Sequence, residues 1–191
     1  AAIVGDPASN LNPEDTVDIN YIATKNIIWA CKNYNIKRYI FASTCSVYGG
    51  SEDTLLVEES ETSPLSLYAE VKLKSENEIL ENSNNKFCPC ILRMATLYGV
   101  SPRMRFDLVI NLFSAQGANG KTLFIYGGTQ NRPFTHVRDI SRAFIFAIKK
   151  DLKGVYNLVG DNMNIRQVAE FMRDKFGVKI ETTNLITDPR N

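Results

Sequence analysis

One histidine, His136, is all the imidazole in this chain, and no second cysteine pair accompanies Cys88-Pro89-Cys90. A Cys/His metal site needs about four such ligands at close spacing. Cys31, Cys45, Cys88 and Cys90 therefore read as buried, reduced thiols, the usage of a cytosolic protein. No apolar run approaches the roughly 18 residues that cross a bilayer, and no basic-then-apolar leader opens the chain. Basic residues are not interleaved with aromatics, and 22 Lys and Arg face 21 Asp and Glu. Nucleic acid and membrane are thus excluded as partners. Internal repeats and low-complexity tracts are also missing.

What remains is a globular composition with 44% apolar residues, enough for a real core. Ala1 to Pro7 reads as the end of a buried strand entering a loop. Residues 15 to 34 carry Val17, Ile19, Ile22, Ile27, Ile28 and Cys31 near helical period. Residues 36 to 43 form a strand, and 44 to 63 are mostly loop. Pro64 and Ser66 open a helix that runs to about Asn82, and 87 to 94 are the next strand. Alternating helix and strand marks parallel βαβ units. Beyond a soft boundary at Gly99-Val100-Ser101-Pro102 the rhythm loosens. Helices are expected at 107–116, 139–150 and 165–176, and short strands at 123–126, 133–137, 155–159 and 178–182. The chain divides, on this reading, into residues 1–100 and 101–191.

Ser66-Leu67-Tyr68-Ala69-Glu70-Val71-Lys72 puts a phenol and an ammonium four residues apart on one helix face. A cation beside a phenol favours phenolate and lowers the pKa from about 10, as a general base requires. In an open α/β sheet, ligands bind beyond the carboxyl ends of the strands. The strand ending at Ser43 delivers Thr44, Cys45 and Ser46 there, and the next delivers Ala95 and Thr96. A serine-rich turn followed by an ordinary amphipathic helix accounts for the same pattern without chemistry.

Several segments, in order, resemble the extended short-chain dehydrogenase/reductase family of nucleotide-sugar epimerases and dehydratases, members like UDP-glucose 4-epimerase above all. Asn20-Tyr21-Ile22-Ala23-Thr24-Lys25-Asn26 is similar to the family's Asn-x-x-Gly-Thr-x-Asn helix, with Ala23 in place of glycine. Phe41-Ala42-Ser43-Thr44-Cys45-Ser46-Val47-Tyr48-Gly49 resembles its strand-end segment, and Tyr68-x-x-x-Lys72 its catalytic pair. Leu92-Arg93-Met94-Ala95-Thr96-Leu97-Tyr98-Gly99 resembles Leu-Arg-x-x-Asn-x-Tyr-Gly. Arg132-Pro133-Phe134-Thr135-His136-Val137-Arg138-Asp139 resembles Arg-x-Phe-x-His-Val-x-Asp, and Gly154-Val155-Tyr156-Asn157-Leu158 a later strand.

The resemblance implies a Rossmann-type, doubly wound parallel sheet and a small α/β substrate-binding region, with NAD as cofactor and a nucleotide-sugar as substrate. Thr44, Tyr68 and Lys72 match the catalytic residues. Thr44 bonds the reacting sugar oxygen, Tyr68 is the base, and Lys72 lowers its pKa and holds the nicotinamide ribose. Ala2, Asn20, Ser43 and Ala95 fall at cofactor-binding positions along with Tyr68 and Lys72. Ser46, Thr96, Phe124, Tyr126, Arg132 and Arg190 fall at substrate positions, Phe124 and Tyr126 bracketing the base slot and the arginines reaching phosphate. Thr96 stands where the family has asparagine. His136 sits in a segment the family uses structurally, and Asp139 reads as a helix cap.

Dehydratases of the family carry an acid pair, or at least a glutamate, after the Thr44 position, where this chain has Cys45 and Ser46. That favours 4-epimerisation, in which one hydride and one proton travel. A NADP-dependent 4-keto-sugar reductase and a non-catalytic cofactor-binding regulatory relative are the alternatives. The family's glycine-rich pyrophosphate turn has no counterpart, since no G-x-x-G-x-x-G occurs. Roughly the first 70 to 80 family residues, with the N-terminal strands, are expected to precede Ala1. These 191 residues alone are accordingly expected to be inactive, with an open sheet edge that promotes association. Family homodimers pack through the helices matching 15–34 and 66–82.

Overall fold

The computed structural model describes residues 2–50 and 55–183. In chain order the elements begin with α1 (Asp6–Leu11), α2 (Pro13–Val17), a π-turn (Asp18–Ile22) and α3 (Ala23–Asn33). Next come β1 (Arg38–Thr44), a 3₁₀ turn (Cys45–Tyr48), α4 (Leu67–Glu81), β2 (Cys88–Met94) and β3 (Thr96–Tyr98). They continue with α5 (Val109–Ala118), β4 (Leu123–Tyr126), β5 (Asn131–His136) and α6 (Val137–Lys149). The last are β6 (Gly154–Leu158), β7 (Asp161–Asn164), α7 (Ile165–Phe176) and β8 (Ile180–Thr183). No described helix is long and apolar enough to cross a membrane.

Two compact units form. The first holds residues 1–94 and 142–158, the second 95–141 and 159–191. Residues 142–158 thus join the first unit, although the sequence reading grouped them with 101–191. The cause is strand pairing, for β6 lies parallel beside β2 from Cys90↔Gly154 to Met94↔Leu158.

In the first unit the parallel order is β1-β2-β6. Side chains alternate across a strand, so Phe41 and Ile91 meet Ile28, Cys31, Ile79 and Phe87 on one face. On the other face Ile40, Cys90 and Leu92 meet Phe144, Ala147 and Leu158. Both faces are covered by helices, the doubly wound arrangement, and β2 is buried along almost its whole length. In the second unit, Phe113 of α5 and Val168, Ala169 and Met172 of α7 close over Leu123, Ile125 and Phe134. That unit has the sheet order β3-β5-β7 and a separate β4-β8 pair.

Two local expectations are corrected. Ala2 to Val4 lie outside helix and strand, and Asp6–Leu11 is helical with Pro7 in its first positions. The backbone N–H and C=O of Ile3 bond instead to the Asn20 carboxamide, at 2.8 and 2.9 Å. The expected single helix over 15–34 is interrupted by the π-turn, where Ala23 N–H reaches back to the Asp18 carbonyl. The Asn20 carbonyl accepts from the hydroxyls of Thr24 (2.8 Å) and Ser75 (3.0 Å). Asp139 lies in the first turn of α6. His136 Nδ1 accepts the Arg138 N–H at 3.2 Å. The His136 ring stands edge-on to Tyr98 at 5.2 Å. A Cβ on Gly99 (φ 116°) would lie 2.6 Å from its Nε2, so glycine there makes room for the imidazole.

Candidate active site

Thr44 ends β1 with extended backbone, and its hydroxyl oxygen accepts the Ser46 N–H at 3.1 Å, capping the 3₁₀ turn. The Thr44 hydroxyl lies 3.1 Å from Ser46 Oγ and donates to it. Two hydroxyls thus form one short chain at the carboxyl end of β1. Gly49 (φ 75°) closes the turn, and a Cβ there would collide with the Ser63 carbonyl.

Cys45 faces away from this pair. Its thiol donates to the Arg93 carbonyl at 3.2 Å. Burial pushes its pKa up to about 12, against the lowering effect of Arg93. It is a protonated thiol with no acid–base role near neutral pH.

Ser66 starts α4, its Oγ accepting the Ala69 N–H at 3.3 Å. That cap puts Tyr68 in the first helical turn. Tyr68 is 9% exposed and Lys72 5%. The Lys72 ammonium donates to the Ala42 carbonyl at 2.8 Å and lies 4.5 Å from the centre of the Phe41 ring. Its other two N–H groups have no hydrogen-bond partner among the described residues. Burial lowers its pKa to about 8, with the Glu76 charge opposing.

The Lys72 shift has a stability consequence. Below about pH 8 the native and unfolded chains both hold the proton, and the native state bears the cost of burying it. Between about 8 and the ordinary 10.5 the unfolded chain binds more protons, so stability rises with pH. The gain is about 3 kcal/mol at most. Lys72→Met removes that rise, and its stability curve between pH 8 and 10.5, followed by urea unfolding, is flatter than wild type.

Around this pair lies a buried polar network that sequence reasoning missed. Glu76 (0% exposed) and Arg93 (6%) form an ion pair, with Nη2 to Oε2 at 2.7 Å and Nε to Oε1 and Oε2 at 3.2 and 3.1 Å. The Ser43 hydroxyl also donates to Glu76. Arg93 Nη1 donates to the Tyr48 hydroxyl (2.8 Å) and the Glu58 carbonyl (3.1 Å). The Tyr48 hydroxyl donates to Asn157 Oδ1 at 2.7 Å, and the Asn157 N–H donates to the Glu58 carboxylate at 2.6 Å. Burial works against the Arg93 charge, but the bonds to Glu76 and Tyr48 outweigh it and raise its pKa. One signal was available. Cys-Pro-Cys-Ile-Leu-Arg-Met is an apolar strand with a single charge, which needs an opposite charge once buried, and Glu76 shares a helix face with Tyr68 and Lys72.

In the first unit α4, which carries Tyr68 and Lys72, packs on β1 and on the 3₁₀ turn, which carry Thr44 and Ser46. Ser43 and Asn20 are buried, with their side chains engaged by Glu76 and Ile3. Ala2 is half-buried ahead of α1. In the second unit Ala95 is 7% exposed, and Thr96 opens β3 opposite Phe134. Phe124 and Tyr126 share the exposed face of β4. Arg132 is half-buried on β5, with Nη1 3.1 Å from the Asn131 carbonyl. Arg190 lies outside the described residues. The four cysteines are free thiols, and no cluster suited to a metal occurs among the described residues.

A parallel sheet covered on both faces, with a hydroxyl-bearing turn and a Tyr–Lys helix at its carboxyl edge, defines a Rossmann-type α/β protein with an enzyme-like site. The chain belongs to the NAD dependent epimerase/dehydratase family, whose model matches residues 1–159. It is 32% identical over 185 residues to the UDP-glucuronate 4-epimerase of Thermodesulfobacterium geofontis, covering 94% of this chain and 56% of that protein. It is 33% identical over 148 residues to an uncharacterized UDP-glucose epimerase of Bacillus subtilis, covering 76% and 44%. Among solved structures, the UDP-N-acetylglucosamine 4-epimerase of Methanobrevibacter ruminantium M1, in complex with UDP-N-acetylmuramic acid, superposes with a TM-score of 0.85. It shares 30% identity over 100% of this chain and 63% of that one. The chain therefore spans about half the length of the curated relatives it matches.

The family's cofactor is NAD, and the residues present fit part of it. A buried ammonium with two spare donors beside the end of β1 suits a pair of ribose hydroxyls.

Proposed function

We propose that the complete protein is an NAD-dependent nucleotide-sugar 4-epimerase. The observation that carries this reading is the turn after β1. It presents the linked hydroxyls of Thr44 and Ser46, and its intervening residue is a thiol turned inward on the Arg93 carbonyl. Dehydration needs an acid to move further protons, and this turn offers none.

Tyr68, as phenolate, removes the proton from the sugar 4-hydroxyl. Thr44 turns its one hydroxyl proton from Ser46 to the same oxygen and orients it, and Ser46 in turn donates to Thr44 Oγ1. Lys72 keeps a positive charge beside the phenol and holds the nicotinamide ribose through its spare donors. Bound beside this pair, NAD would supply the hydride acceptor and donor that C4 needs. The 4-keto sugar turns over between the two transfers, and Tyr68 then gives its proton back to the opposite alcohol.

Ala2, Asn20, Ser43 and Ala95 are the proposed backbone and side-chain neighbours of the cofactor. Thr96, Phe124, Tyr126, Arg132 and Arg190 are the proposed contacts of the nucleotide-sugar, arginine forks suiting diphosphate oxygens. Residues 1–100 serve the cofactor and 101–191 the substrate, apart from the returning segment 142–158. The protein acts in the cytoplasm as a homodimer through the face built from α2, α3 and α4.

The test is product NMR with the complete protein, NAD and a panel of UDP- and dTDP-hexoses. Interconversion of one 4-epimer pair without net change in NADH is expected. Stoichiometric NADPH consumption with a 4-keto sugar, or water loss from the hexose, would overturn the reading.

A further inference from the structure

We propose that Glu76 is a positioning residue. Clamped by Arg93 and Ser43, its carboxylate locks the helix bearing Tyr68 and Lys72 against β1 and β2 and keeps the Lys72 ammonium charged inside a dry site. The inference rests on the 4-epimerase reading for its kinetic part and on geometry for the rest.

Glu76 follows Lys72 by one helical turn and Tyr68 by two, so all three share a face of α4. The carboxylate takes three charge-assisted contacts from one guanidinium, in addition to the Ser43 hydroxyl. Ser43 and Arg93 are directly paired across β1 and β2, so α4 is pinned at one point on both strands. The same Arg93 grips both ends of the reactive turn, Cys45 through its carbonyl and Tyr48 through Nη1. One residue, through its carbonyl and its guanidinium, thereby ties the turn carrying Thr44 and Ser46 to the Tyr68–Lys72 helix. Bidentate geometry makes that coupling directional, which a greasy contact would not be.

The electrostatic part follows from what surrounds Lys72. Its ammonium is set on the Ala42 carbonyl and the Phe41 ring, and the charge acting on it is that of Glu76, one turn along α4. Among the described residues, Glu76 is the charge that acts on it in favour of the ammonium. Without Glu76 the burial of Lys72 goes unopposed. The amine then loses its proton nearer neutrality, and the phenol loses the cation that favours phenolate. Stability alone does not call for an ion pair here, since apolar replacement of such pairs is often neutral.

The test uses the complete protein with two variants, Glu76→Gln and the double change Glu76→Leu with Arg93→Met. The double change fills the site with apolar side chains and keeps the proposal testable should the single variant misfold. Two readouts are followed, the pH dependence of kcat and KM, and the NMR titration of the Lys72 side-chain resonance. Both the alkaline limb of kcat and the Lys72 midpoint are expected to move down by about one pH unit. KM should stay within about threefold. An unmoved Lys72 midpoint in a folded variant overturns the proposal, as does a kcat loss that only tracks the unfolded fraction. The midpoint needs no turnover. A shift in a protein without 4-epimerase activity therefore supports the role of Glu76 while refuting the reaction assigned to the site.

Discussion

Tyr68→Phe lowers 4-epimerase turnover by about 10²–10⁴-fold, the range for removing a positioned general base. The change deletes one oxygen and keeps a ring of nearly the same volume in a site that is 9% exposed, so packing is retained. The Ser66 cap and the Lys72 bond to Ala42 involve other atoms and persist. Binding of the nucleotide-sugar is therefore expected within about threefold of wild type, with the loss confined to kcat. Steady-state kinetics and direct binding on the complete protein separate the two. Turnover within about tenfold of wild type would remove Tyr68 from the mechanism and leave the Thr44–Ser46 hydroxyls as the group to test next.

The second large effect is on stability. Arg93→Met leaves Glu76, 0% exposed, without its counter-charge, which costs about 3–5 kcal/mol. Tyr48, Glu58 and the Ser43–Glu76 contact lose their common partner at the same time. The melting temperature is expected to fall by roughly 10 °C. Arg38 provides the internal comparison. Its pair with Asp151 is just as short, at 2.8 Å, but the side chains are 34% and 69% exposed. Arg38→Ala should cost less than about 1 kcal/mol. Calorimetry on the two variants decides the matter, and equal melting shifts would show that burial does not set the worth of these pairs.

Much of the site was legible because it is local. Tyr68 and Lys72 are one helical turn apart, and Ser66 announces the start of that turn. Thr44 follows an apolar run that could only be a buried strand, so its place at a carboxyl edge came with the α/β rhythm. The interrupted helix was not legible, because an apolar period reads the same through a one-residue slip, and the Ser75 hydroxyl that bonds the Asn20 carbonyl lies 55 residues away. Nor was the behaviour of Ala2 to Val4, where the Asn20 carboxamide bonds the Ile3 backbone across 17 residues. Cys45 and Ser46 read as poor acids from residue type, and the packed turn adds that the thiol points inward on the Arg93 carbonyl.

From its sequence alone this protein is determined to be a family member with a Tyr–Lys pair, a hydroxyl-bearing turn and no metal-binding pattern, since each feature is written in residues at most one turn apart. The tertiary structure decided which charges are buried together and which strand segment 142–158 joins. Those outcomes depend on where distant segments meet, and a charge such as Arg93 acquires its partner only when β2 and α4 pack face to face.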